Sequence, residues 1–189
     1  MEQPGPGSSI IALAGRRVDA EPTDPPGFAS AKVPLVRRRL GQMLVREKAC
    51  TLVCSAACGA DLIALKEAER LGIRRRIVLP FEPDRFRESS VTDRPGNWGP
   101  LFDRLISAAA TAGDLMLLGA DTGDDNAAYA ATNEAIVSSA QRLAETEGIC
   151  RLIAVVVWEG AARAGMDATE GFRQLAQAAG FKQLSVLTV

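Results

Sequence analysis

Short apolar runs and longer stretches with apolar residues at helical spacing take turns along the chain. Ser9–Ala14, SIIALA, is a continuous apolar run that ends at Gly15. A half-exposed strand would alternate polar and apolar side chains, so an unbroken run predicts a strand buried on both faces. Val33–Lys48 has apolar residues at 33, 36, 40, 43, 44 and 45, a roughly helical period, and carries Arg37, Arg38 and Arg39 on its outer face. Cys50–Cys54 predicts a second strand. Cys58–Leu71 predicts a helix, since Leu62, Leu65, Ala68 and Leu71 recur at every third position and Gly72 stops it. Arg76–Pro80, RIVLP, predicts a third strand, and Phe81 to Gly96, rich in charge, Ser and Pro, a loop. Trp98–Ala110 follows as a helix and Asp114–Leu118 as a fourth strand. Asp124–Leu143 reads as a long helix with Asp124 or Asp125 as its N-cap. Arg151–Trp158, RLIAVVVW, is a strand, Thr169–Ala179 a helix, and Leu184–Val189 a last strand.

Strict alternation of helices with apolar strands means a parallel sheet covered by helices on both faces. The predicted class is therefore α/β, with a doubly wound, mainly parallel sheet. Residues 1–8 are expected to be a flexible polar lead, Gly15–Ser30 a long proline-bearing loop, and 9–189 a single domain. No linker breaks the alternation, and a chain of 189 residues is long enough for a sizeable core.

Composition narrows the chemistry. The net charge of −1 argues against a general affinity for nucleic acid, which needs a basic surface to neutralise phosphates. There is no histidine, which removes the commonest general acid/base and metal ligand near neutral pH and every Ser-His or Cys-His nucleophile. Catalysis would fall to carboxylates, Tyr129, a cysteine or bound water. The start, MEQPGPGSS, has neither a basic nor a long apolar region, and no run approaches the length of a membrane span. A cytoplasmic protein without a membrane partner is expected, with its four cysteines reduced. Without histidine or a C-x-x-C pair, no metal site is expected. The cysteines read as buried, inert thiols; Cys58, near a helix N-terminus, is the one whose thiolate would be favoured.

The stretch Cys54–Asp61, CSAACGAD, stands where the second strand passes into a helix. In open α/β sheets ligands bind at this edge. Small residues let the backbone approach a ligand, and the first N–H groups of the helix can form an anion site, to which Ser55 can add a hydroxyl. Asp61 can cap free N–H groups or hold a ribose hydroxyl. Equally, the small residues can serve only to pack helix against strand. The stretch is neither the dinucleotide G-x-G-x-x-G fingerprint nor a P-loop.

Four pieces, in order along nearly the whole chain, carry a resemblance to a known group: IALAGRRVDA (Ile11–Ala20), SAACGADLIALKEA (Ser55–Ala68), IVLPFEPDRFRESSV (Ile77–Val91) followed by Trp98 and Phe102, and DDNAAYAATNEAIV (Asp124–Val137) before VVVWEG. The chain resembles the SLOG-type Rossmann-like superfamily, which includes DNA-processing protein A, the LOG phosphoribohydrolases and the molybdenum-cofactor carrier proteins. It is most similar to a branch of uncharacterised bacterial domains often fused to signalling modules. The resemblance implies a Rossmann-like fold and a nucleotide-type ligand, with no other cofactor required. Gly15 and Arg16 would line the first loop. Ser55, Ala56, Gly59, Ala60 and Asp61 would form a phosphate or ribose cradle. Pro80, Phe81, Arg85, Phe86 and Ser90 would form a wall, and Asn126, Tyr129, Asn133 and Glu134 would face the pocket from the long helix. Their chemistry suits the part: arginines grip phosphate bidentately, aromatic rings stack on a base, and Asn133 and Asp61 can read hydroxyls or base edges. Each also has a plainer role as core anchor, cap or solvated charge.

One departure bears on activity. The LOG enzymes carry a PGGxGTxxE motif whose glycines shape a phosphate loop and whose glutamate serves catalysis. This chain has GADTGDDNAAYAATNEAIV there, with Glu134 the sole comparable carboxylate. The leading expectation is thus a ligand-sensing or carrier domain for a nucleotide derivative, acting in bacterial signalling or stress response with an effector protein, and a homodimer in the manner of related folds. The alternative is a nucleotide N-glycosidic hydrolase using Asp61 and Glu134. A third reading is an interaction module with a vestigial pocket, for which Arg37–Arg39 and Arg74–Arg76 would supply a partner surface.

Overall fold

A computed structural model of the chain describes residues 5, 7–22, 27–119 and 124–189. Most of the expected N-terminal lead (1–4 and 6), part of the first loop (23–26) and residues 120–123 lie outside the described residues. Six strands form one sheet: β1 (Ser9–Gly15), β2 (Ala49–Cys54), β3 (Arg74–Leu79), β4 (Leu115–Leu117), β5 (Arg151–Trp158) and β6 (Lys182–Leu187). Every pairing is parallel, in the order β4-β3-β2-β1-β5-β6. Six α-helices connect them: α1 (Val33–Arg46), α2 (Ala60–Arg70), α3 (Pro83–Ser90), α4 (Gly99–Thr111), α5 (Asp125–Glu147) and α6 (Ala168–Ala178).

The unbroken apolar runs have the cause expected of them. Along β1 and β5, Ile11, Leu13, Val155 and Val157 enter the core under α1, α2 and α4, while Ile10, Ala12, Ala154 and Val156 enter the core under α5 and α6. Both faces of the sheet are covered, so neither set of alternate residues needs to be polar. The fold is Rossmann-like and doubly wound, and no helix among the described residues is long and apolar enough to cross a membrane.

Two boundaries differ in ways that matter. The expected loop from Phe81 to Gly96 contains α3. Pro83 opens this helix, where its missing N–H costs nothing, and Phe86 anchors it by stacking on Phe102 with ring centroids 6.1 Å apart. The helix expected from Cys58 starts at Ala60, because Gly59 takes φ 95°, ψ −122°, a conformation open to glycine alone. Asp124 is the N-cap of α5, its side chain accepting from the Asn126 N–H. The basic run at the start of β3 is ion-paired: Arg74 with Asp114 and Glu147, Arg75 with Glu69, and Arg76 with Asp114.

Candidate functional site

From β1 the chain winds outward through β2 and β3 to β4, then crosses back to β5 on the other side of β1. The loops leaving β1 and β5 therefore part in opposite directions, and a crevice opens at their carboxyl ends. A cavity of about 250 Å³ lies there, lined from β1, the β2–α2 turn, α3, α5 and the first turn of α6. Ligand pockets span roughly 300–1,000 Å³, so the enclosed part suits one ring system rather than a whole dinucleotide.

The β2–α2 turn is pressed onto the loop after β1. A Cβ on Gly15 would come within 2.6 Å of the Ala60 and Val157 Cβ atoms, and one on Gly59 within 2.8 Å of the Arg16 carbonyl oxygen. The turn's donors are largely engaged by the chain itself. The Ala60 N–H donates to the Arg16 carbonyl (3.1 Å), Cys58 to Ser90 (3.0 Å) and Leu62 to Ala57 (3.3 Å), and Ala57 donates to the Asp61 carboxylate (3.2 Å). Close packing accounts for Gly15, Gly59, Ala60 and the fully buried Ala56, and of these only Gly15 lines the cavity.

Asp61 and Ser55 stand apart in this turn. Asp61 is only 6% exposed. Its Oδ2 holds the Ala57 N–H, while Oδ1 has no partner, and the Ser55 hydroxyl is buried without one as well. Both residues line the cavity. Buried polar atoms are nearly always satisfied, and here two unpartnered ones, each closed off from solvent, belong to residues that line one cavity. Burial pushes the Asp61 carboxyl up to about 7, against the smaller opposing effect of the Ala57 N–H.

The remaining wall combines hydroxyl, amide and aromatic groups. Tyr129 and Ser90 share a 3.0 Å hydrogen bond between their hydroxyls. Asn133 donates from Nδ2 to the Ala168 carbonyl (2.8 Å), tying α5 to the start of α6. These three line the cavity with Phe86. Phe81 and Arg85 form the layer behind: the Phe81 ring meets Tyr129 edge-on at 6.1 Å, and the Arg85 guanidinium lies 3.8 Å over Phe81 and pairs with Asp125. Pro80 is buried beside them, while Asn126 and Glu134 are exposed on α5. None of these last five lines the cavity. Asp61 and Glu134 thus do not converge on one site.

Arg16, expected to grip a phosphate, is spent inside the protein. At 6% exposure it donates from Nε to Glu159 (2.6 Å) and through both terminal nitrogens to the two oxygens of Asp167 (2.6 and 2.8 Å). Asp167 in turn caps α6 by accepting from the Thr169 and Glu170 N–H groups. Burial pushes the Asp167 carboxyl up, but the hydrogen bonds from Arg16, Arg163 and Glu170 outweigh it and bring it down to about 2. The arginine that does reach the cavity is its neighbour, Arg17, which donates to Asp93 (2.8 Å) and to the Ser89 carbonyl (3.0 Å). Sequence reasoning missed Arg17 along with Ala57, Thr132 and Thr169, which also line the cavity.

The cysteine expectation needs two corrections: Cys150 is exposed and Cys50 half-buried, and the thiolate of Cys58 is not the favoured form. Cys58 is fully buried and precedes α2, and burial pushes its thiol up to about 11 despite nearby Arg17, so its thiolate is disfavoured. Burial, aided by Asp61, also raises Cys54. Both are packing residues. Neither known family models nor curated proteins yield a match to this chain.

Proposed function

We propose that this chain is a ligand-sensing or carrier domain that takes up a nucleotide or nucleotide derivative in the crevice beyond β1 and β5, in keeping with its resemblance to the SLOG-type superfamily. The observation that carries this reading is the pair of orphaned polar groups, Asp61 Oδ1 and Ser55 Oγ, on two residues that line one cavity. Structural carboxylates find partners within the chain; this one is buried and left half-satisfied. The resemblance points to bacterial signalling as the setting. A vestigial pocket would be filled by neighbouring side chains, and an open cavity of about 250 Å³ speaks against that.

A second reading, hydrolysis of a nucleotide N-glycosidic bond, draws on a single feature. A carboxyl with a pKa of about 7 is suited to general acid–base work near neutral pH. It lacks a second carboxylate, since Glu134 is exposed and does not line the cavity.

A thermal-shift screen with mononucleotides, cyclic and linear dinucleotides, NAD and ADP-ribose tests both. A ligand at a hundredfold excess over its Kd stabilises by about 2.7 kcal/mol, and Asp61→Ala is expected to abolish the shift. Product analysis on a compound that shifts the protein separates binding from turnover. Silence from folded protein across the whole panel would overturn the nucleotide reading.

A further inference from the structure

We infer that the cavity receives the ribose end of its ligand and leaves phosphate outside, with Asp61 and Ser55 reading the sugar hydroxyls. This rests on the nucleotide reading above and fixes which way round the ligand enters. It also departs from what a glycine-bearing turn before a helix ordinarily does, which is to hold phosphate on free N–H groups.

The first ground is that most of the phosphate-binding parts are already in use, the N–H groups of Gly59 and Asp61 excepted. The N–H groups of Ala57, Cys58, Ala60 and Leu62 are bonded within the chain. The other helix start at the cavity, α6, has its Thr169 and Glu170 N–H groups capped by Asp167. Arg16 is held by Glu159 and Asp167. Arg17, the cation on the cavity wall, is held by Asp93.

The second ground is charge. The unsatisfied group on the wall is a carboxyl. A phosphate brought against its ionised form would set two anions together in a poorly solvated site, which is strongly unfavourable. An uncharged group meets no such opposition.

The third ground is hydrogen-bond chemistry. A carboxyl that titrates near pH 7 offers an acceptor when ionised and a donor when protonated. A base N–H matches only the first form, and a base carbonyl only the second. A sugar hydroxyl donates and accepts, so it satisfies both, and Ser55 Oγ has the same versatility. The half-buried ring of Tyr129, on α5, is left for the base. Phosphate attached to the sugar then points to the mouth.

The test is calorimetric titration of the whole chain with matched sets: the four ribonucleosides, their 2′-deoxy and 3′-deoxy forms and their 5′-monophosphates, together with NAD and ADP-ribose. A nucleoside is expected to bind within about threefold of its monophosphate, and loss of the hydroxyl read by Asp61 to weaken binding about tenfold or more. Asp61→Asn, which keeps the side-chain volume, is expected to shrink the ribose-to-deoxyribose ratio to within about threefold; circular dichroism establishes that the variant is folded. Binding that requires the phosphate and ignores both sugar hydroxyls would overturn this inference while leaving the nucleotide reading in place. Failure of every compound, NAD and ADP-ribose included, would remove both.

Discussion

At the scale of single residues, Asp61 carries the most consequence. Its folded-state pKa of about 7 stands above the ordinary 3.8, so between these values the folded chain binds a proton that the unfolded chain has released. Stability from this group is therefore full below about pH 4 and declines as pH rises to about 7. The difference amounts to about 4 kcal/mol, at 1.36 kcal/mol per pKa unit. Asp61→Asn removes the titration while leaving an amide with one unmet bond, and is expected to be about 1–3 kcal/mol more stable than the parent at pH 8, with little gain at pH 4. Urea unfolding of both proteins at the two pH values decides it; parallel stability profiles would show that Asp61 does not titrate in this range. Much of the site was legible at this scale. Ser55, Asp61, Phe86, Ser90, Tyr129 and Asn133 were marked from sequence and line one cavity. The choice between Arg16 and Arg17 was not legible. Neighbours on an extended segment face opposite ways, and Asp167, the partner that claims Arg16, lies 151 residues along the chain.

At the scale of elements, the junction of β1 with α2 explains the small residues that drew attention to the turn. Gly59 combines a positive φ of 95° with no room for a Cβ, whereas Gly72, at φ 69°, has open space around it. Gly59→Ala meets two costs, about 1–3 kcal/mol of backbone strain and about 1–3 kcal/mol of overpacking against the Arg16 backbone. Gly72→Ala meets only the first. Gly59→Ala is accordingly expected to lower the urea midpoint about twice as far; equal shifts would mean that the turn can move away from β1. The same distinction marks what elements reveal in sequence. β5 matches its sequence boundaries because its last six residues share one physical demand, burial on both faces. The helix α3 was missed because eight residues rich in charge and serine have little periodicity, and it is held by packing Phe86 against Phe102, sixteen residues away.

Across the whole molecule, the fold must join its two halves at the crevice where it also leaves room for a ligand. Arg16 on the β1 side meets Glu159 after β5 and Asp167 at the head of α6, and Arg163 closes the group by pairing with Glu159. The cage sets the position of Thr169, and thus one wall of the cavity. Arg16→Met keeps much of the side-chain bulk but leaves two carboxylates, 3% and 19% exposed, without their main counter-charge. Removing one partner of a buried ion pair costs about 3–5 kcal/mol, because the remaining charge stays desolvated. The exposed Arg38 offers the comparison: Arg38→Met is expected to change stability by no more than about 0.5 kcal/mol. The sign of the pH response distinguishes the cage from simple packing. In the parent, Asp167 is held down to about 2, so it contributes stability above the ordinary 3.8 that is lost only as pH falls toward 2. In Arg16→Met, burial is left less opposed and the carboxyl rises. The variant's deficit is then expected to be largest near neutral pH and to narrow as pH falls toward 2, where the parent's Asp167 also begins to take up its proton. A deficit that stays constant over this range would assign Arg16 a packing role instead. Wild-type stability should therefore peak in mildly acid solution, with Asp61 favouring low pH and Asp167 resisting it, the two carboxylates acting from opposite sides of one crevice.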